Sequence, residues 1–345
     1  MSNEITYNKE ILQVEHLTNY YDDNSLGIFE ERKRKKVLDD VSLTIHNDEF
    51  FGLVGESGCG KSTLANAILG LIPYEGSIKI NGTLRTPKNG KEFTRLVQAV
   101  FQDPLSALDP RRTIGFTMRE PLRVHKIGTA KEQIAAVHRM LDAVGLDASY
   151  ADRYPRELSG GQRQRVCIGA SLMLQPPLLI ADEAISALDV SVGAQILNLF
   201  NEIDAGADFA MLFISHNLNV EYYFCDRIAV MYRGQIVEIG TAEDIYQHAR
   251  HPYTKLLLSA IPDFKPPAED AFPHQELETS REDVPGACAF YHRCPHAGPG
   301  CLHKPEMVQA SDPEFKEHFV RCVMYGDTAK QGSQPLRPAD ISSQI

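Results

Sequence analysis

Gly55–Thr63 reads "GESGCGKST", and the fold turns on how this stretch is read. It fits G-x-x-x-x-G-K-[ST], with the apolar "FFGLV" ahead of it and a helix-forming run behind, up to about Gly70. Gly55, Gly58 and Gly60 let backbone N–H groups turn inward around phosphate oxygens. Glu56, Ser57, Cys59 and Thr63 fill the rest of the loop. The N-terminus of the following helix adds a favourable field for an anion. Lys61 is expected to reach the β and γ phosphates, and Ser62 to give its hydroxyl to Mg2+. A glycine-rich turn capping a helix is the plain alternative. With every position filled and the strand–helix context right, the phosphate loop is the reading adopted.

Outward from the loop, apolar strand runs alternate with helical patterns, which implies an α/β core with a largely parallel sheet. "LLIADE" (Leu178 to Glu183) buries itself and delivers two carboxylates at its end. Asp182 is placed to hold Mg2+ and Glu183 to polarise the attacking water. "FAMLFIS" is a second buried strand, and His216 follows it. "VFQD" ends a third and carries Gln102, a candidate to sense Mg2+ or position water. Functional groups in such sheets gather at the carboxyl ends of the strands. Elsewhere, "ILQVEHL" (Ile11 to Leu17) alternates as an edge strand would. "KEQIAAVHRMLDAVGL" has helical spacing and stops near Gly145. "RIAVMYRGQIVEIG" predicts a hairpin turning at Arg233–Gly234. The charge run Glu30–Lys36 reads as a solvated excursion.

The order phosphate loop, "VFQD", "LSGGQ", "LLIADE", "SALD", "ISH" resembles the ATP-binding subunit of ABC transporters, over about Ile11 to Ile261. The resemblance implies a P-loop NTPase fold of the ABC type, with a helical subdomain at about 103–175 and an antiparallel edge subdomain. It implies that two such domains meet head to tail, so that Ser159, Gly160, Gly161 and Gln162 contact ATP held by a partner chain. Ser186 to Asp189 would cross that interface, Gln102 would couple the site to a membrane subunit, and His216 would contact the γ-phosphate. Adenine would stack on Tyr21, preferred over Tyr20 for its offset from "VEHL". One departure stands out: Ala184 and Ile185 occupy positions where the family usually has Pro and Thr, while both carboxylates survive.

"VFQDPLSALDPRRTIG", "DRYPRELSGGQRQR" and "HPYTKLLLSAIP" are similar to the oligopeptide/dipeptide importer group, whose relatives also take up nickel. The insert between Tyr21 and Val37 looks like the second, F-type, of the two ATPases such importers carry. The partners implied are a homologous ATPase subunit, two permease subunits and an extracytoplasmic solute-binding protein. The implied location is peripheral, on the cytoplasmic face of the inner membrane. A soluble ABC-type ATPase acting on nucleic acid or ribosomes is the competing class. The net charge of −11 and the single signature motif argue against it. The 345-residue chain has no apolar run near the length that spans a bilayer, and its first residues lack the apolar core of a signal peptide.

Four of the seven cysteines, Cys288, Cys294, Cys301 and Cys322, cluster near the end with spacing C-x5-C-x6-C-x20-C. Such a cluster suggests a metal before it suggests disulfides. The segment is similar to the C-terminal region of peptide-importer ATPases, and the resemblance tips the expected centre to [4Fe–4S], with zinc as the alternative. His292, His296 and His303 lie among the cysteines as competing ligands; free thiols on a partly ordered tail are the bland reading. The expected units are a nucleotide-binding domain at 1–261, an acidic, proline-rich linker at 262–285, the cysteine segment at 286–325 and a polar tail at 326–345.

Overall fold

The computed structural model describes residues 10–22, 34–186, 188–204, 209–261, 284–310 and 317–325. Residues 30–33 of the charge run, most of the expected linker and the whole expected tail lie outside them. Arg34, Lys35 and Lys36 are exposed, as a solvated run requires.

Two sheets organise the chain. The smaller is antiparallel and contains β1 (Glu10–Asp22), β2 (Arg34–His46), β4 (Glu75–Ile80) and β5 (Thr83–Leu84) in the order β2-β1-β4-β5. The stretch expected at an edge is therefore interior, paired on both sides. Alternation reports one buried face, here Leu12, Val14 and Leu17, and says nothing about how many neighbours a strand has.

The larger sheet has the order β11-β12-β10-β9-β3-β8-β7-β6. Its centre is β3 (Phe50–Val54), β6 (Val97–Val100), β7 (Leu178–Asp182) and β8 (Ala210–Ile214). All are mutually parallel, and β9 (Arg227–Tyr232) continues the parallel set beside β3. β3 and β8 are buried at every residue, which is why they read as unbroken apolar runs. β10 (Gln235–Thr241) folds back on β9 through the expected two-residue turn, with Arg233 and Gly234 both at positive φ.

That turn is wedged into the molecule. Gly234 N–H donates to the Cys59 carbonyl at 2.7 Å, and its own carbonyl accepts from Asp39 N–H at 2.9 Å. A Cβ on Gly234 would lie 2.1 Å from the Val37 carbonyl oxygen. The hairpin tip thus joins the antiparallel sheet to the phosphate loop.

The helices begin with α1 (Lys61–Leu69), α2 (Gly90–Phe93), α3 (Pro104–Ala107), α4 (Ile114–Val124) and α5 (Ala130–Ala143). They continue with α6 (Gly160–Leu172), α7 (Val190–Asp204), α8 (Leu218–Phe224), α9 (Ala242–Gln247) and α10 (Pro252–Ser259). Thr129 and Glu132 form a capping box at the start of α5. α4, α5 and α6 share one apolar cluster through Met118, Leu141 and Val166.

The C-terminal segment packs against this core. β11 (Val308–Gln309) and β12 (Phe319–Val320) extend the large sheet beyond β10. Phe290 is fully buried, edge-on to Tyr232 at 5.2 Å and 5.5 Å from Tyr253. Glu238 of β10 accepts from His251 N–H at 2.9 Å and meets His318 Nε2 at 2.7 Å, entirely out of water. Burial pushes the His251 imidazole down to about 4 against the pull of Glu238, so its Nδ1 is free of a proton and accepts from Tyr253 N–H, capping α10.

Candidate nucleotide site

The phosphate loop leaves β3 and enters α1 with Gly55, Gly58 and Gly60 all at positive φ. No heavy atom lies within 4 Å of where a Cβ on Gly58 would be, so that face of the loop is open to a ligand. Lys61 is almost fully buried, and its Nζ donates to the Gly55 carbonyl at 2.7 Å and the Glu56 carbonyl at 3.2 Å. Its ammonium is thus held at the loop's centre. Cys59 is buried, and loss of solvation raises its pKa even beside Lys61, which suppresses thiolate reactivity.

Parallel pairing brings the other expected groups to the same end of the sheet, because β3, β8, β7 and β6 are successive neighbours. Ser62 Oγ donates to Asp182 Oδ1 at 3.3 Å, joining two residues 120 positions apart. Burial raises the Asp182 pKa, and the Ser62 hydrogen bond and Lys61 work against that rise. A hydroxyl and a carboxylate side by side at the loop's exit are the donor set that Mg2+ takes with a nucleotide. Glu183 follows Asp182 with φ at +49°, and its N–H donates to the Ile214 carbonyl at 3.0 Å. His216 Nδ1 lies 3.7 Å from Glu183 Oε1. Gln102 is exposed two residues beyond β6, at the outer strand of this row.

Ser159 caps α6 rather than pointing freely. Its hydroxyl accepts from Gln162 N–H at 3.3 Å, and Gln162 Oε1 accepts from Ser159 N–H at 2.9 Å. Gly160 faces open space, whereas a Cβ on Gly161 would lie 2.8 Å from Val192 Cγ1 on α7. Tyr21 is exposed at the end of β1, while Lys36 lies over the ring of Tyr20. Between β6, α4 and α6 runs a groove lined by Gln98, Phe101, Leu108, Val124 and Leu174.

Residues 38–186 match the family described as ABC transporter, and residues 237–301 match the one described as Oligopeptide/dipeptide transporter, C-terminal region. The putative oligopeptide transport ATP-binding protein YkfD of Bacillus subtilis is 39% identical over 332 residues, covering 91% of this chain and 95% of that protein. The oligopeptide transport ATP-binding protein OppF of the same organism is 43% identical over 260 residues, covering 74% and 83%.

The chain belongs to the ABC transporter family.

Within that family it is an ATP-binding, ATP-hydrolysing subunit related to oligopeptide and dipeptide importer ATPases. The fold of this ABC subunit agrees with solved relatives. The ATP-binding cassette MJ0796, in a dimeric post-hydrolysis state with ADP and Pi, superposes with a TM-score of 0.59 at 26% identity, covering 67% of this chain and 99% of that one. CbiO1 of Clostridium perfringens gives 0.61 at 23% identity, covering 70% and 92%. No helix among the described residues is long and apolar enough to cross a membrane.

The expected [4Fe–4S] or zinc centre is not supported. Cys288, Cys294, Cys301 and Cys322 do line one small cavity, with Phe290 and His251. Yet among the described residues no three His, Cys, Asp or Glu side chains are placed to hold a metal ion. His292 Nε2 faces the Tyr232 hydroxyl at 3.2 Å, and His296 and His303 are exposed.

Three groups at or behind the site escaped sequence reading. The Tyr253 hydroxyl accepts from Glu56 N–H at 2.9 Å, and Arg293 Nη1 reaches both Glu56 carboxylate oxygens. Glu221 is completely buried beside β3, and a Cβ on Gly52 would lie 2.5 Å from its Oε2. No local pattern marks contacts that span 197 and 237 positions.

Proposed function

We propose that this ATPase powers the import of di- or oligopeptides through a membrane complex. One observation carries the reading: a single chain joins the ABC transporter match at 38–186 to the oligopeptide/dipeptide C-terminal match at 237–301. Relatives named for oligopeptide transport, alike along nine-tenths of the chain, support it.

ATP is held by the loop Gly55, Glu56, Ser57, Gly58, Cys59, Gly60, Lys61, Ser62 and Thr63, with adenine against Tyr21. Lys61 transfers its hydrogen bonds from loop carbonyls to phosphate oxygens. Ser62, Asp182 and Gln102 would hold Mg2+, which would offset charge on the phosphates. Glu183 orients a water for in-line attack on the γ-phosphorus. The new P–O bond forms as the bond to ADP breaks, and His216 supports the γ-phosphate from beside Glu183. Ser159, Gly160, Gly161 and Gln162 close over the nucleotide of a head-to-tail partner ATPase. One of the two permease subunits docks at the groove beside Gln102, the other on the partner ATPase, and a solute-binding protein delivers the peptide. The open face at Gly160 and the capped start of α6 fit a close approach to phosphate.

The test is reconstitution of the chain with its partner ATPase, permeases and binding protein in vesicles. Peptide-loaded binding protein should raise ATP turnover and accumulate labelled peptide inside. ATP turnover that no peptide stimulates, but another solute does, would exclude peptides as cargo and leave the ATPase in place.

A further inference from the structure

Glu56 is an odd residue to find beside a triphosphate. It is the second position of the phosphate loop, and its carboxylate carries the same sign as the ligand. Arg293, from the C-terminal cysteine segment, meets that carboxylate with Nη1 at 2.9 Å from one oxygen and 3.0 Å from the other. We propose that Arg293 is a positioning residue for nucleotide binding: it neutralises Glu56 and pins the opening turn of the phosphate loop, so the C-terminal segment sets the affinity for ATP.

An exposed ion pair alone would carry little weight. This one is built from both sides. Arg293 N–H donates to the Phe290 carbonyl at 3.1 Å, and Phe290 is locked among Tyr232, Tyr253 and His251. The guanidinium carbon lies 5.9 Å from the centre of the Tyr232 ring and 5.7 Å from that of Phe290. Burial disfavours its charge, but hydrogen bonds to Tyr232 and Glu56 hold its pKa above the ordinary guanidinium value. On the other side, Glu56 N–H is fixed to the buried Tyr253 hydroxyl, and the Glu56 carbonyl accepts from both Cys59 N–H at 3.2 Å and Lys61 Nζ. Glu56 is thus tied by four residues, Tyr253, Cys59 and Lys61 on its peptide units and Arg293 on its carboxylate, two of them more than 190 positions away. Little ordering remains to be done when phosphate arrives.

The charge logic separates this role from simple packing. Removing Arg293 leaves a bare carboxylate at the mouth of an anion site. Removing Glu56 leaves a bare guanidinium there. The two changes therefore push ATP affinity in opposite directions, and their combination cancels.

The proposal rests on ATP binding at this loop, so the experiment begins with MgATP titrated into the full wild-type chain. In Arg293→Gln the dissociation constant should rise roughly threefold to tenfold, and added salt should shrink the difference. In Glu56→Gln it should fall. In the double variant it should return close to wild type, and Arg293→Lys should lie between Arg293→Gln and wild type. Melting temperature, followed alongside, should move little in Arg293→Gln. A wild-type chain that binds no MgATP would overturn the nucleotide site and this role together. Normal wild-type binding with unchanged affinity in Arg293→Gln would overturn this role alone, as would a double variant no better than Arg293→Gln.

Discussion

Glu183 and Lys61 are proposed to serve the same nucleotide, and on that reading their losses should look different. A carboxylate that orients water acts in the transition state, and a buried ammonium on phosphate acts already in the ground state. Glu183→Gln should cut turnover about a hundredfold or more while MgATP still binds; Lys61→Ala should weaken binding itself. Comparing MgATP affinity with single-turnover rates decides, provided the partner's own site is silenced, and near-normal turnover in Glu183→Gln would exclude the role. Glu221 gives a second residue-scale prediction. Neither of its oxygens has a well-formed hydrogen bond, and burial raises its pKa well above the ordinary carboxylate range, with Lys61 and the Ser215 N–H pulling the other way. A carboxyl whose folded pKa is raised favours the fold below its unfolded pKa and loses that contribution as pH climbs toward the folded value. Glu221→Gln should therefore melt higher than wild type at about pH 8 and no higher at about pH 4. Equal gains at both ends would deny the titration. The phosphate-loop residues and the Asp182–Glu183 pair were legible in the sequence because each lies in one short run. Glu221 was not, since nothing in "NVEYYF" distinguishes a buried glutamate from an exposed one.

At the scale of the element, α6 carries two adjacent glycines that do different work. Gly160 faces open space and Gly161 packs on Val192. Alanine is the better helix former at both positions, so only contact can make it costly. Gly161→Ala should destabilise the chain by about 1–3 kcal/mol through crowding against α7, read as a lower denaturation midpoint. Gly160→Ala should leave that midpoint unchanged or slightly raised, and still depress ATP turnover in the assembled complex. Loss of stability in Gly160→Ala would show that the open face is not what it is taken to be. Element type followed well from local pattern: α5, β3, β7 and β8 lie where apolar spacing or apolar runs put them, and α1 follows the phosphate loop as that motif requires. Neighbour order did not. "ILQVEHL" told of one buried face, and only long-range pairing with β2 and β4 places β1 inside its sheet.

Seen whole, the molecule keeps its C-terminal segment as part of the nucleotide-binding core. Phe290 fills the space between Tyr232 and Tyr253, and Tyr253 in turn holds Glu56 N–H. Phe290→Ala should cost roughly 3–5 kcal/mol of stability and weaken MgATP binding along with it, measured by chemical denaturation and nucleotide titration on the same samples. A stability loss with nucleotide affinity untouched would mean that the segment and the loop are mechanically separate. The sequence suggested that the cysteines needed a metal to order their surroundings. The order comes instead from β12 on β10, the Glu238–His318 contact and the aromatic group around Phe290. None of these can be read locally, because each joins residues well separated along the chain, as Glu238 and His318 are by 80 positions.

The turn at Arg233–Gly234 also bears on how this protein can be altered. Seen in sequence, it and Asn81–Gly82 are twins: two residues joining two strands, both at positive φ. A tag, a reporter or a new chain terminus would go into either with equal confidence. Gly82 has open space around it, whereas Gly234 lies against Val37 and bonds to Cys59. Insertion after Gly82 should yield a labelled and working ATPase; insertion after Gly234 would pry the hairpin out from under the nucleotide.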